Sequence, residues 1–213
     1  YVWNPRIILQ NKFDLPHFDV NYFDNKFASF VIAEPNVSMH KNAFTPLCIT
    51  ERYFLDYKKT TGKVLILGGD KIQKCESFKH FEINFDIIKN KRVEFYQRCN
   101  FLDVLRQLKE KKNLFPIIVS HQYLNDLNFI HFEALYLGWP LLHNCPRLKD
   151  VGYYYPEHDI DKASELVEYI RLNHIQNIKK YKKDNMRFLL QYDPLFTLNV
   201  NSYKDIIEEL TSQ

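Results

Sequence analysis

Residues 120–156 read SHQYLNDLNFIHFEALYLGWPLLHNCPRLKDVGYYYP, and an apolar run, Pro116-Ile117-Ile118-Val119, leads into them. A short apolar run that gives way at once to polar residues predicts a buried strand feeding a loop. The loop, His121 to Asn128, carries amides, a carboxylate and a histidine but few breakers. Asn128 is a natural N-cap for a helix whose body is Phe129 to Leu137. Gly138 suits the C-terminal cap of that helix, and Pro140 cannot continue it. A second short strand, Leu141-Leu142-His143, follows at once.

The helix is apolar almost all the way round. Phe129, Phe132 and Tyr136 share one face, and Ile130, Ala134 and Leu137 share another. Such a helix is expected to be buried, which makes Glu133 an anomaly. An unpaired carboxylate in an apolar layer costs several kcal/mol. Glu133 is therefore either paired internally, with a backbone amide or an Arg, or aimed into a polar cleft. In the second case it meets a ligand hydroxyl at the carboxyl end of a sheet, where open α/β folds bind ligands.

Outward from this stretch the same alternation continues. Phe30 to Ala33 is a buried strand ending in Glu34-Pro35-Asn36. Ser38 is placed to cap a long helix to about Tyr57, with Pro46 kinking it or marking a boundary inside it. Lys63 to Leu67 and Val93 to Tyr96 are further strands, separated by a helix around Ser77 to Ile88. Phe101 to Lys111 is amphipathic, with Leu102, Leu105 and Leu108 inward. Tyr153-Tyr154-Tyr155 is a sixth, edge-like strand. The tail predicts three helical segments: one with Ala163, Leu166, Val167 and Ile170 on one stripe, a basic one over Ile175 to Gln191, and one carrying Tyr203, Ile206, Ile207 and Leu210. Strands separated by helices imply an α/β fold with a doubly wound parallel sheet of about six strands and C-terminal helices. The first 26 residues are irregular and aromatic, and are expected to be a boundary segment after a domain that precedes them. Residues 27–213 form the Rossmann-like domain.

Composition bounds the function. The 213 residues suffice for one α/β domain with a sizeable core. A formal charge of +3 demands neither nucleic acid nor a membrane surface. No run has the apolar length of a membrane-spanning helix. Cys48, Cys75, Cys99 and Cys145 lie far apart with no CxxC pair, which disfavours a metal site and a disulfide framework and fits reduced thiols in the cytoplasm.

Two further stretches bear on chemistry. Glu34-Pro35-Asn36-Val37-Ser38-Met39-His40-Lys41 joins a strand to a helix N-terminus, where amide N–H groups and Lys41 could hold a phosphate. A solvated Lys is the commoner case. Arg98, just after the third strand, either forms a bidentate pair with a phosphate or pairs with Glu94. His143 and Asn144 at a strand end are either a cleft pair or a satisfied buried histidine and its neighbour. Other motifs fall away. His131-Phe132-Glu133 has the H-x-E of zinc deaminases, but no P-C-x-x-C follows. Neither a G-x-G-x-x-G nor a P-loop is present.

Glu133-Ala134-Leu135 with Gly138-Trp139-Pro140 resembles the E-A-L-x-x-G-x-P signature in the C-terminal, nucleotide-sugar-binding domain of GT-B glycosyltransferases. Many members carry a second Glu eight residues earlier, where this chain has Asn125, and the H-C-G-W-N-S of plant-type members is absent. EPNVSMHKN, FYQRCN, KDVGYYYP and the Trp3-x-Pro5 segment extend the likeness over nearly the whole chain. They resemble an uncharacterised glycosyltransferase-like family of bacterial and viral proteins. The resemblance implies one half of a GT-B fold, its N-terminal domain lying elsewhere in the same chain or in a partner chain. It implies a nucleotide-sugar donor, taken here as a UDP-sugar, with no separate cofactor or metal. Glu133 would hold the ribose. The pyrophosphate would meet the helix N-terminus at Asn128 with help from Arg98 or Lys41, in a cleft also lined by Asn36, His121, Gln122 and His143. The catalytic base would come from the other domain, and the acceptor stays open. Two alternatives remain. One is a non-catalytic nucleotide-sugar-binding subunit. The other is a DNA-base glycosyltransferase whose Lys179-Lys180-Tyr181-Lys182-Lys183 touches phosphates, although a solvated helix face is the commoner use of such a run.

Overall fold

The computed structural model describes residues 3–5, 15–36, 38, 40–110, 114–125 and 128–212. Val37, Met39, Lys111, Asp126 and Leu127, which the sequence places in loops and at a helix end, lie outside the described residues, as does Tyr1. Six strands form one sheet: β1 (Ala28–Ile32), β2 (Thr61–Leu67), β3 (Val93–Tyr96), β4 (Phe115–Ser120), β5 (Leu141–His143) and β6 (Tyr153–Tyr154). Their spatial order is β3-β2-β1-β4-β5-β6, and every pairing is parallel. This is the doubly wound α/β architecture expected from the alternation of elements. β1 and β4 are buried along their whole length, which is why they read as continuous apolar runs rather than alternating ones.

Between β1 and β2 lies α1 (Phe44–Asp56). It starts later than expected, and Ser38 does not cap it. Pro46 is the reason: in the first turn its missing N–H costs nothing, whereas in mid-helix it would break a bond. Before β3 come three short helices, α2 (Gly69–Ile72), α3 (Glu76–Asn84) and α4 (Asp86–Lys89). The single helix expected over Ser77 to Ile88 is interrupted at Phe85, whose backbone is extended. Both carboxylate oxygens of the buried Glu51 then accept hydrogen bonds from the first amides of α4, Asp86 N at 2.8 Å and Ile87 N at 2.9 Å. That anchors the break to α1.

Helix α5 (Phe101–Glu110) buries Leu102, Leu105 and Leu108 as its spacing predicts. α6 (Phe129–Leu137) is capped by Asn128, whose side chain accepts from Ile130 N, and ends at Gly138 with φ 80°. Two segments read separately in the tail are one helix, α7 (Ile160–Leu190), 31 residues long. It packs on α1 and α6. The bidentate Arg171–Glu168 pair is reached by Tyr53 Oη of α1 at 2.7 Å and ties Asn25 O at 2.8 Å. The lysine run is divided by this packing. Tyr181 is buried, with its hydroxyl on Trp139 O, and Lys182 donates to Phe18 O at 2.8 Å. Lys179, Lys180 and Lys183 stay exposed, Lys180 in a pair with Asp184 at 2.7 Å. The last helix, α8 (Thr197–Thr211), has no buried residue, so its apolar stripe faces outward.

In the first 26 residues the described part is not a free segment. Trp3, Phe18 and Phe23 are in the core, Trp3 stacks on Phe132, and Trp139 Nε1 donates to Pro16 O.

Candidate functional site

In a sheet of this order the connections from β1 and β4 run to opposite sides, so a crevice opens beyond their carboxyl ends. The residues that end these two strands meet across it. Glu34, two residues past β1, is 2 % exposed. Its carboxylate accepts from Ser120 Oγ at 2.8 Å and from Gln122 Nε2 at 2.9 Å to each oxygen, Ser120 being the last residue of β4 and Gln122 two residues past it. A backbone contact from His121 adds to these. His131, fully buried on α6, lies 2.8 Å from Ser120 Oγ through Nε2. Since Ser120 donates to Glu34, its oxygen accepts from His131, and the imidazole hydrogen sits on Nε2. Nδ1 of His131 has no partner among the described residues.

A pocket of about 260 Å3 lies on this network. Its lining comes from the ends of three strands and from the helix after β4: Glu34 after β1, Leu67 of β2, Arg98 after β3, and Asn128 and Ile130 at the start of α6, with Lys41 from the β1–α1 connection. Lys41 is positioned by two loops that grip each other. His40 Nδ1 meets Tyr123 O at 2.9 Å, Tyr123 N donates to His40 O, and the two rings stack. Two cations and a capped helix N-terminus thus converge on one cavity, which suits an anion of phosphate type. Burial pushes the Glu34 carboxyl up to about 7, against the opposing hydrogen bonds from Ser120 and Gln122 and the charge of Lys41.

The predicted site residues divide. Lys41, Arg98 and Asn128 line the pocket. Arg98 is not committed to Glu94, which pairs with Lys63 at 3.0 Å and accepts from Tyr96 Oη. Gln122 is a support for Glu34, with Asn125 donating to its Oε1 at 2.7 Å. Asn36 was expected to line the cleft and does not. In the left-handed region at φ 53°, it donates to Glu34 O and Gly68 O and accepts from Ala43 N, so both ends of its amide hold backbone. His143 was also expected there and is instead a core histidine. It is fully buried, with Nε2 on Val151 O at 2.9 Å and Nδ1 accepting from Cys145 N. His121 is buried at the end of β4 against Tyr155 Oη at 3.0 Å, its ring 4.4 Å from that of His158, and it is not among the pocket-lining residues.

Glu133 is half-buried on the outward stripe of α6 with Phe129, Ile130 and Tyr136, one turn beyond the pocket-lining Ile130. The helix is thus not wholly enclosed, and the polar residue on its buried face is His131. Sequence reasoning missed His131, Ser120 and Glu34. An acidic residue directly after an all-apolar strand was the available signal for Glu34.

A family model described as "Protein of unknown function (DUF2827)" matches residues 1–207. No curated protein matches. Solved structures do. TarM aligns with a TM-score of 0.61 at 13 % identity, over 91 % of this chain and 37 % of that one. A point mutant of S. aureus TarM, in complex with fondaparinux, alpha-GlcNAc-glycerol and UDP, gives 0.59 at 14 %, over 94 % and 41 %. A Burkholderia multivorans alpha,alpha-trehalose 6-phosphate synthase gives 0.56 at 8 %, over 88 % and 43 %. These are glycosyltransferases, and at such identities the likeness is one of fold. This chain spans about two-fifths of their length.

Proposed function

We propose that this chain, which belongs to the DUF2827 family, is the donor-binding domain of a glycosyltransferase that uses a nucleoside-diphosphate sugar, with UDP-sugar as the first candidate. One observation carries the reading. Lys41, Arg98 and the capped N-terminus of α6 converge on a single pocket outside the β1/β4 switch point. The diphosphate lies between the two cations with its oxygens toward the positive end of the α6 dipole. The nucleoside runs along the outward stripe of α6, where Glu133 accepts from ribose hydroxyls.

The chemistry of this half is electrostatic. As the bond from sugar to diphosphate breaks, negative charge grows on the departing oxygens, and fixed cations and amides stabilise it without reorganising. The acceptor and the base that activates it belong to a second domain, in the same chain or a partner. Free cysteines at Cys48, Cys75, Cys99 and Cys145 are in keeping with a cytoplasmic enzyme.

Calorimetry with UDP and with inorganic diphosphate tests the reading. Lys41→Ala and Arg98→Ala each remove a charged hydrogen bond of about 1.5–3 kcal/mol, so both ligands weaken by about tenfold to a hundredfold. Glu133→Gln weakens UDP alone, because inorganic diphosphate has no ribose. Absence of UDP binding by the folded chain overturns the site, and equal UDP affinity in Glu133→Gln removes Glu133 from it.

A further inference from the structure

The proposed pocket contains a carboxylic acid that its anionic ligand has no need of. Glu34 lines the same cavity as Lys41 and Arg98 and is buried at the sheet end. An ionised Glu34 would neutralise one of two cations and repel any phosphate seated beside them. We infer that Glu34 is a positioning residue of this pocket that takes up one proton from solvent when a diphosphate binds, so that both cations face the ligand. This rests on the diphosphate reading of the pocket.

The geometry shows where the proton goes. Glu34 Oε1 accepts from both Ser120 Oγ and Gln122 Nε2, whereas Oε2 has Gln122 alone among these side chains. The His121 backbone is a further donor to the carboxylate, so Oε2, with the fewer side-chain donors, is the oxygen to which the hydrogen is assigned. Ser120 cannot turn away, because its oxygen accepts from His131 Nε2. The groups facing Glu34 come from several elements: Lys41 from the β1–α1 connection, Arg98 across the pocket, His131 on α6, and Tyr155 after β6. Of these, His131 is held neutral by burial, and the Tyr155 hydroxyl is pushed up by burial and by Glu34 itself. Neither alters its charge near neutral pH. Glu34, raised by burial to about 7, is the group poised to do so. A bound diphosphate raises it further, by the same like-charge repulsion that raises one of two neighbouring carboxylates.

UDP is the probe, at about pH 8, where a phosphate with a second pKa of about 6 is already ionised. Titrations in two buffers of unlike ionisation enthalpy count the protons exchanged. The wild-type chain should take up close to one proton per UDP, and its affinity should fall about tenfold per pH unit above about 7. Glu34→Gln, which keeps a neutral group of the same shape, should take up none and bind UDP with no such fall. Ser120→Ala removes a donor to the carboxylate, raises it further, and should shift the fall to higher pH. If circular dichroism shows Glu34→Gln unfolded, the wild-type proton count and the direction of the Ser120→Ala shift still decide. UDP binding by the wild type without proton uptake overturns the role of Glu34 and leaves the pocket standing. Uptake that persists in Glu34→Gln also overturns it. Failure of UDP to bind at any pH removes the pocket reading and this inference together.

Discussion

Lowering the pH from 7.5 to 5 should remove a large part of the stability of this domain, and the buried histidines set the amount. His143 uses one ring nitrogen to donate to Val151 O and the other to accept from Cys145 N, a pattern open only to neutral imidazole. His174 does the same between Gly138 O and the hydroxyl of Tyr153. Burial lowers these two from 6.5 to about 4 and about 3. Burial, with the charge of His158, takes His121 to about 4. All three therefore bind protons more readily unfolded than folded. Their contribution is complete above 6.5 and is lost as pH falls below it. At about pH 5 each unfolded histidine gains about 2 kcal/mol from protonation, about 6 for the three. His131, lowered well below its ordinary value, acts in the same direction.

Glu34 opposes them. Its folded-state value is raised from 4.5 to about 7, so it destabilises the fold at high pH, and that cost vanishes as it protonates. By pH 5 this returns about 2.5 kcal/mol, leaving a net loss of about 3–4 from a total that for domains of this size is about 5–15. Urea unfolding of the full chain at the two pH values measures the difference directly. Equal stability at pH 5 and 7.5, or a gain on acidification, would refute the assignment of these rings as neutral core groups.

Three substitutions test the scaffold that carries the site. Glu51→Gln leaves one of two α4 amides facing an NH2 group, so it should cost about 2–3 kcal/mol in denaturant unfolding; Glu133→Gln, half-exposed, should cost under about 1. Gly138→Ala should cost about 1–3 kcal/mol by the same assay, because φ is 80° there and an added Cβ would overlap the Lys182 side chain, displacing its bond to Phe18 O.

The sheet was legible because both faces of its central strands are covered. Burial on two sides selects apolar runs, and residues 30–32 of β1, 64–67 of β2 and 115–119 of β4 are such runs. The frame of α6 was legible for a local reason: Asn128 and Gly138 have the chemistry of helix ends whatever the helix packs on. Its orientation was not. A helix apolar on most sides gives no moment to say which face turns inward, so Glu133 stood out while His131 took the buried place. The continuity of α7 was hidden for another reason: its buried stripe runs unbroken through Ala163, Val167, Ile170, His174, Tyr181, Asn185 and Leu189, but His174 and Asn185 interrupt its apolar character, so an apolar pattern alone divides it.

What the sequence could not give was the meeting of Glu34 with Ser120 and Gln122, 86 and 88 residues apart. A switch point brings together the ends of strands that are distant in the chain, so no local spacing records it. The physical signal is nevertheless present at each end separately. A strand buried on both sides can change from apolar to polar only where the sheet stops, and the first polar side chains beyond it must find partners or solvent. At the β1 and β4 ends they find each other, which offsets part of the cost of burying Glu34 and holds it at the edge of the pocket. Arg98, past the end of β3 two strands from β1, and Lys41, in the loop after β1, are then the charged groups lining the cavity beside Glu34. In a doubly wound sheet, therefore, the first polar residues after the two strands flanking the switch point are the ones to pair on paper before any motif is sought.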